Sequence, residues 1–166
     1  MNQENNFAFI DSQNFYLGMR DLGWKVDFDK LRIYLKQKYK IRRAFMFFGY
    51  IHKNEGLYRY LEKAGFELVF KPVIKGYQDK FKGNCDVDLT LRSMIEYGEF
   101  DKAFIITSDG DFYSLIKYLC DNSKLLVLMS LFTLSCSKLL KIAAKDRIQF
   151  IGDLKNKLEI TKKDTT

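Results

Sequence analysis

The chain has 166 residues, close to the common size of one domain and long enough to bury a substantial core. Apolar residues make up 47 % of it and proline occurs once, at Pro72, which excludes disordered and collagen-like classes. The net charge of +7, from 28 Lys and Arg against 21 Asp and Glu, favours a polyanionic partner without identifying one.

Apolar runs such as LLVLMSLF are far shorter than the roughly 20 residues of a membrane-spanning helix, and MNQENN lacks the basic and apolar regions of a signal peptide. The expected location is therefore cytoplasmic, with no membrane partner. Cys85, Cys120 and Cys136 are odd in number and far apart, so they read as reduced thiols and not as a disulfide framework or a CxxC zinc site. The single histidine, His52, removes most histidine-dependent chemistry and reads as a surface loop residue.

In chain order, FAFID (Phe7 to Asp11) reads as a strand, followed by a long loop through Gly18 and Gly23. DFDKLRIYLKQKY is a helix carrying Phe28, Leu31, Ile33 and Leu35 near helical spacing. RRAFMFFGY is a strand, EGLYRYLEKAG a helix stopped by Gly65, and FELVFKPV a strand ended by Pro72. After the basic loop IKGYQDKFKG, the pattern CDVDLTLRSMIEYG is helical and groups Val87, Leu91, Met94 and Ile95 on one face. KAFIITS is then a strand, FYSLIKYLCDN a helix, KLLVLMS a strand, SKLLKIAAKD a helix and IQFIGDL a last strand. KNKLEITKKDTT reads as a polar tail, so the expected organisation is a single domain over 1–154 with a tail over 155–166.

Strands that are apolar throughout and alternate with helices imply a parallel sheet covered on both faces, hence an α/β fold. In such sheets ligands gather at the C-terminal ends of the strands, in the crevice where the winding reverses. Asp11 closes the first strand, and Asp109 with Asp111 follow the fourth. If the chain winds first to one side and then crosses back, these two strands are central neighbours. Asp86 and Asp88 open the helix before the fourth strand, and about 200° of helical rotation separates them, so one is a ligand and the other a cap or surface charge. Carboxylates converging in this way repel one another unless a hard divalent cation neutralises them, and Mg²⁺ or Mn²⁺ suits oxygen-only ligands. The chemistry that follows from such a cation is phosphodiester hydrolysis. Taken singly, each acid also has an ordinary reading, as an N-cap, an Asx-turn or a solvated helix end.

Three blocks resemble the NYN domains, a LabA-like branch of the PIN-like nucleases: FIDSQNFY, KGNCDVDLTL and ITSDGDF, in matching order and spacing over roughly Phe7 to Leu154. The resemblance implies a PIN-like three-layer α/β/α sandwich with a mainly parallel sheet of five or six strands, and a Mg²⁺- or Mn²⁺-dependent endoribonuclease. It also implies that Asp11, Asp86, Asp109 and Asp111 are the catalytic, metal-binding acids, with Asn14 as an accessory polar group; Asp88 and Ser108 are expected as further accessory residues beside them. This chain departs from the pattern at Ser108, where a glycine is usual, at Cys85, where an aliphatic residue is usual, and at Arg92, where many relatives carry a further acid. Asp88 stands as the acid that can compensate for Arg92.

The basic loop beside the acid-bearing helix carries Lys75, Lys82 and Tyr77, with Lys71, Lys80 and Phe81 around them. Lysines neutralise phosphates and aromatics stack on unpaired bases, so the expected partner is single-stranded RNA, with a homodimer left open. KQKYKIRR is a second basic cluster, placed by chain order at the opposite edge. Tyr50 follows a strand end and is a candidate for lining the crevice. Two other readings compete with the nuclease. One is a binding module that keeps the pocket without turnover. The other is a phosphohydrolase of the haloacid-dehalogenase type, disfavoured because Gln13 stands where its second first-strand acid would be.

Overall fold

The computed structural model describes residues 4–72 and 85–161. Six parallel strands form its sheet, in the order β3-β2-β1-β4-β5-β6: β1 Asn6–Asp11, β2 Ile41–Gly49, β3 Glu67–Lys71, β4 Ala103–Ile106, β5 Leu125–Ser130 and β6 Ile148–Phe150. The helices among the described residues are α1 Ser12–Leu22, α2 Phe28–Tyr39, α3 Glu55–Ala64, α4 Asp86–Ile95, α5 Tyr113–Asp121, α6 Lys138–Ala144 and α7 Lys155–Leu158. None of them is long and apolar enough to cross a membrane.

Alternation along the strands divides the core into two sides. Ala8, Ile10, Met46, Phe104 and Ile106 face α1, α2 and α3 through Phe15, Leu31, Leu35 and Leu61. Phe7, Phe9, Phe45, Phe47 and Ile105 face α4, α5 and α6 through Leu89, Ile116, Leu119 and Leu140. The result is the expected PIN-like three-layer sandwich, with the sixth strand present. Winding reverses at β1, which pairs with both β2 and β4, so the C-terminal ends of β1 and β4 lie side by side, with Ile10 opposite Ile106. This juxtaposition brings the acids together.

Three segments differ from the sequence reading. The expected loop after Asp11 is α1, which starts on an Asp11 cap and ends at Gly23 in the left-handed conformation. The apolar face of α4 points outward: Val87 is 75 % exposed and Leu91, Met94 and Ile95 are exposed as well, while Leu89 and Ser93 face the sheet. Beyond Leu154 the chain forms α7, buries Leu158 and bridges Glu159 to Val26.

Gly18 lies inside α1, where alanine would ordinarily be the better residue. A Cβ at this position would sit 1.7 Å from Cδ1 of the buried Leu131. Gly18→Ala is therefore expected to destabilise the fold by roughly 1 to 3 kcal/mol through overpacking, instead of the modest gain of an exposed helical site. Urea unfolding of parent and variant at equal m-value measures the difference.

Candidate functional site

The site grows out of the last residue of β1. Asp11 is buried, and its Oδ1 accepts a hydrogen bond from the Asn14 amide (3.1 Å), capping α1. Its Oδ2 accepts from the Thr107 hydroxyl just past β4 (3.0 Å). Asn14 returns the contact, its Oδ1 accepting from the Ser108 amide (2.9 Å). The Thr107 hydroxyl also accepts from the Asp109 amide (3.1 Å). One loop is thus tied to both central strands.

Within that loop Asp109 caps the short turn Gly110–Phe112, its Oδ1 accepting from the Asp111 amide (3.0 Å). The cap belongs to Asp109 and not to Asp111, whose exposed side chain is left for other contacts. Gly110 must be small, since a Cβ there would lie 2.6 Å from Oγ of Ser137, the residue that caps α6. Ser108 turns away from the acids: its hydroxyl lies 2.6 Å from that of Ser130 and accepts from the Leu131 amide at the end of β5.

Carboxylate oxygens of Asp86, Asp109 and Asp111 lie within 4.8 Å of one another. Asp86 reaches the loop because it is the first residue of α4, whose N-terminus meets the C-terminal edge of the sheet. Neither Asp109 nor Asp111 forms an ion pair with a described residue. Three carboxylates offering only oxygen fit a hard divalent cation. Asp11 stands beside this trio, near enough for the charges of Asp86 and Asp109 to act on it, with both of its own oxygens engaged by Asn14 and Thr107. The structure therefore brings three of the four expected acids into one cluster and places the fourth at its back.

Asp88 is directed elsewhere and pairs with Lys71 on β3 (3.5 Å). Arg92 joins an ion network in which its Nε lies 2.9 Å from Glu96, while Glu96 also pairs with Arg43 and Arg43 with Glu67. Lys75, Tyr77 and Lys82 lie outside the described residues. Tyr50 donates its hydroxyl to Glu55, and the exposed His52 pairs with Glu55 as well, so neither joins the acids. Thr107 is a site residue that sequence reasoning missed. Its signal was present, since Thr107 extends the register that sets Ile10 opposite Ile106 and so stands beside Asp11.

Burial raises the Asp11 carboxyl from 3.8 to about 6; the bonds from Asn14 and Thr107 oppose the shift, and the charges of Asp86 and Asp109 add to it. A raised carboxyl penalises the folded state when ionised. The penalty is absent below 3.8, grows up to about 6 and stays constant above it. It amounts to something on the order of 3 kcal/mol. Asn at this position keeps an acceptor for the Asn14 amide, so Asp11→Asn without metal is expected to gain stability over the parent as pH rises from 4 to 7, then to hold that gain. Denaturant titrations of both proteins at several pH values test this, and a constant difference across that window would contradict it.

The sequence matches the NYN domain family over residues 7–151. No curated protein matches the chain. Among solved structures the fold is similar to that of VPA0982, a protein of unknown function from Vibrio parahaemolyticus, with a TM-score of 0.78 and 22 % identity over 94 % of this chain and 96 % of that one. At that identity the likeness shows the shared fold alone. With its acids gathered where a parallel sheet reverses its winding and the family match spanning nearly the whole sheet, this chain belongs to the NYN domain family.

Proposed function

We propose that the protein is a metal-dependent endoribonuclease that hydrolyses phosphodiester bonds in RNA. The observation that carries this reading is the trio Asp86, Asp109 and Asp111, packed within 4.8 Å at the sheet's C-terminal edge. These residues would hold Mg²⁺ or Mn²⁺, with the charge of Asp11 behind them. Such a cation supplies a water of lowered pKa and charge stabilisation at a phosphoryl oxygen.

The chain's own residues position this chemistry. Asn14 and Thr107 fix Asp11 and the loop, and Gly110 lets the loop that carries Asp109 and Asp111 pack against Ser137 at the start of α6. A groove of about 750 Å³ runs from Asp86 and Asp111 along Thr90, Leu91 and Met94, leaving the acids open to a polymer from one side. The net charge of +7 favours a polyanion as substrate. A second reading, a binding module without turnover, draws on the engagement of both Asp11 oxygens, which leaves the tight cluster one acid short of the expected four.

Asp109→Asn separates the metal role from a structural one, since Asn retains an acceptor for the Asp111 amide. The variant is expected to melt at or above the parent's temperature without metal, to lose most of the stabilisation that Mn²⁺ gives the parent, and to stop cleaving RNA. Were Asp109 only a cap, Asp109→Ala would cost about 0.5 to 2 kcal/mol and both variants would respond to Mn²⁺ as the parent does. Melting curves with and without Mn²⁺ decide between the two.

A further inference from the structure

On the other side of Asp11 from the acid trio lies a cavity of about 420 Å³ that the chemistry above does not use. It is set between α1 and α3, over the C-terminal end of β2. Phe47, which stands opposite Asp11 in the sheet, lines its base where β2 ends, and its walls include Tyr16, Phe48 and Tyr58. Gln13, which is exposed, and Asn54 also line it, and neither side-chain amide bonds to a described residue. The Tyr16 hydroxyl is buried and has no hydrogen-bond partner among the described residues. An aromatic-walled space with two spare amides and an unpartnered phenol suits a flat heteroaromatic ring with polar edges. Aromatic faces stack on such a ring, and amides can both donate to its edge and accept from it.

Its position narrows the choice of ligand. Gln13 is two residues beyond Asp11, and β1 and β2 are one strand spacing apart, about 4.8 Å. The cavity thus adjoins Asp11 at the C-terminal edge of the sheet, the edge at which the trio also lies, so one RNA strand can engage both.

We propose that this cavity receives one unpaired nucleobase of an RNA whose phosphate is held at the acids, an inference that rests on the nuclease reading. A base paired in a duplex cannot enter it, so the site selects single-stranded RNA.

The test uses the uncleaving Asp109→Asn chain with an end-labelled, unstructured RNA of about ten residues, in which an abasic residue is moved along the strand. One position is expected to weaken binding roughly 5- to 100-fold, the range that loss of one base–aromatic stack produces. Annealing to the complement should abolish that contribution. In Asn54→Trp and Leu57→Trp, which fill the cavity, the abasic penalty should vanish. Should either variant fold poorly, methyl NMR of the Asp109→Asn chain with adenosine monophosphate supplies the answer, with shifts expected at Ile51 and Leu57. A flat abasic scan, or filled variants that retain the penalty, would overturn the proposal, as would unmoved Ile51 and Leu57 methyls at millimolar nucleotide. A base footprint in a parent that fails to cleave RNA with Mn²⁺ would leave the cavity proposal standing and sink the nuclease. Cleavage without a footprint would do the reverse.

Discussion

A cycle of hydrogen bonds joins the ends of the two central strands, and the site depends on it. Asp11 accepts from Asn14 and Thr107, Asn14 accepts from Ser108, and Thr107 accepts from Asp109. These bonds satisfy backbone groups that a strand end and a helix start would otherwise leave unpaired. They also settle the direction of a loop that carries two further carboxylates. Repulsion among those acids pushes the loop outward, and the cycle with its buried members holds it in place. Local capping and global electrostatics thus oppose each other within a few residues, a pattern found where a sequence spends local stability on function.

The acids themselves were legible because topology limits where they can go. Once apolar strands alternate with helices, the strand-end rule gathers Asp11, Asp109 and Asp111, and a helix running back along the sheet starts near them with Asp86. What the rule does not resolve is which oxygen points where. Asp11 was read as an equal member of the set, yet its position at the start of α1 turns one oxygen to the Asn14 amide and the other to Thr107. That helix was itself read as a loop because Gly18 interrupts it, and only the packing of Leu131 shows why a glycine belongs there. Helical periodicity grouped Val87, Leu91, Met94 and Ile95 correctly on one face and left open which way the face points. On α4 the sheet side is held by Leu89, Ser93 and the ion-paired Glu96, so polar residues occupy positions that a simple amphipathic reading assigns to the core.

The two halves of the sheet carry different features. The half containing β1, β4 and β5 carries the hydrogen-bonded loop and its acids, with β5 supporting Ser108 through Ser130. The other half, β2 with α3, carries the aromatic walls of the neighbouring cavity. Asp11 is common to both, being paired in register with β2 on one side and bonded across to Thr107 on the other. Its burial makes it responsive to anything that changes charge or solvent access on either flank.

Arg92 carries a consequence for the charge balance beneath α4. Its guanidinium lies 4.9 Å from the Phe45 ring centroid and pairs with Glu96, which is only 9 % exposed and also pairs with Arg43, itself paired with Glu67. An acid introduced at this position would add a like charge beside the buried Glu96 and remove one of its two cationic partners. The ring of Phe45 would lose a cation at the same time, so the charge balance on this side of the sheet is set by Arg92, Arg43, Glu96 and Glu67 acting together.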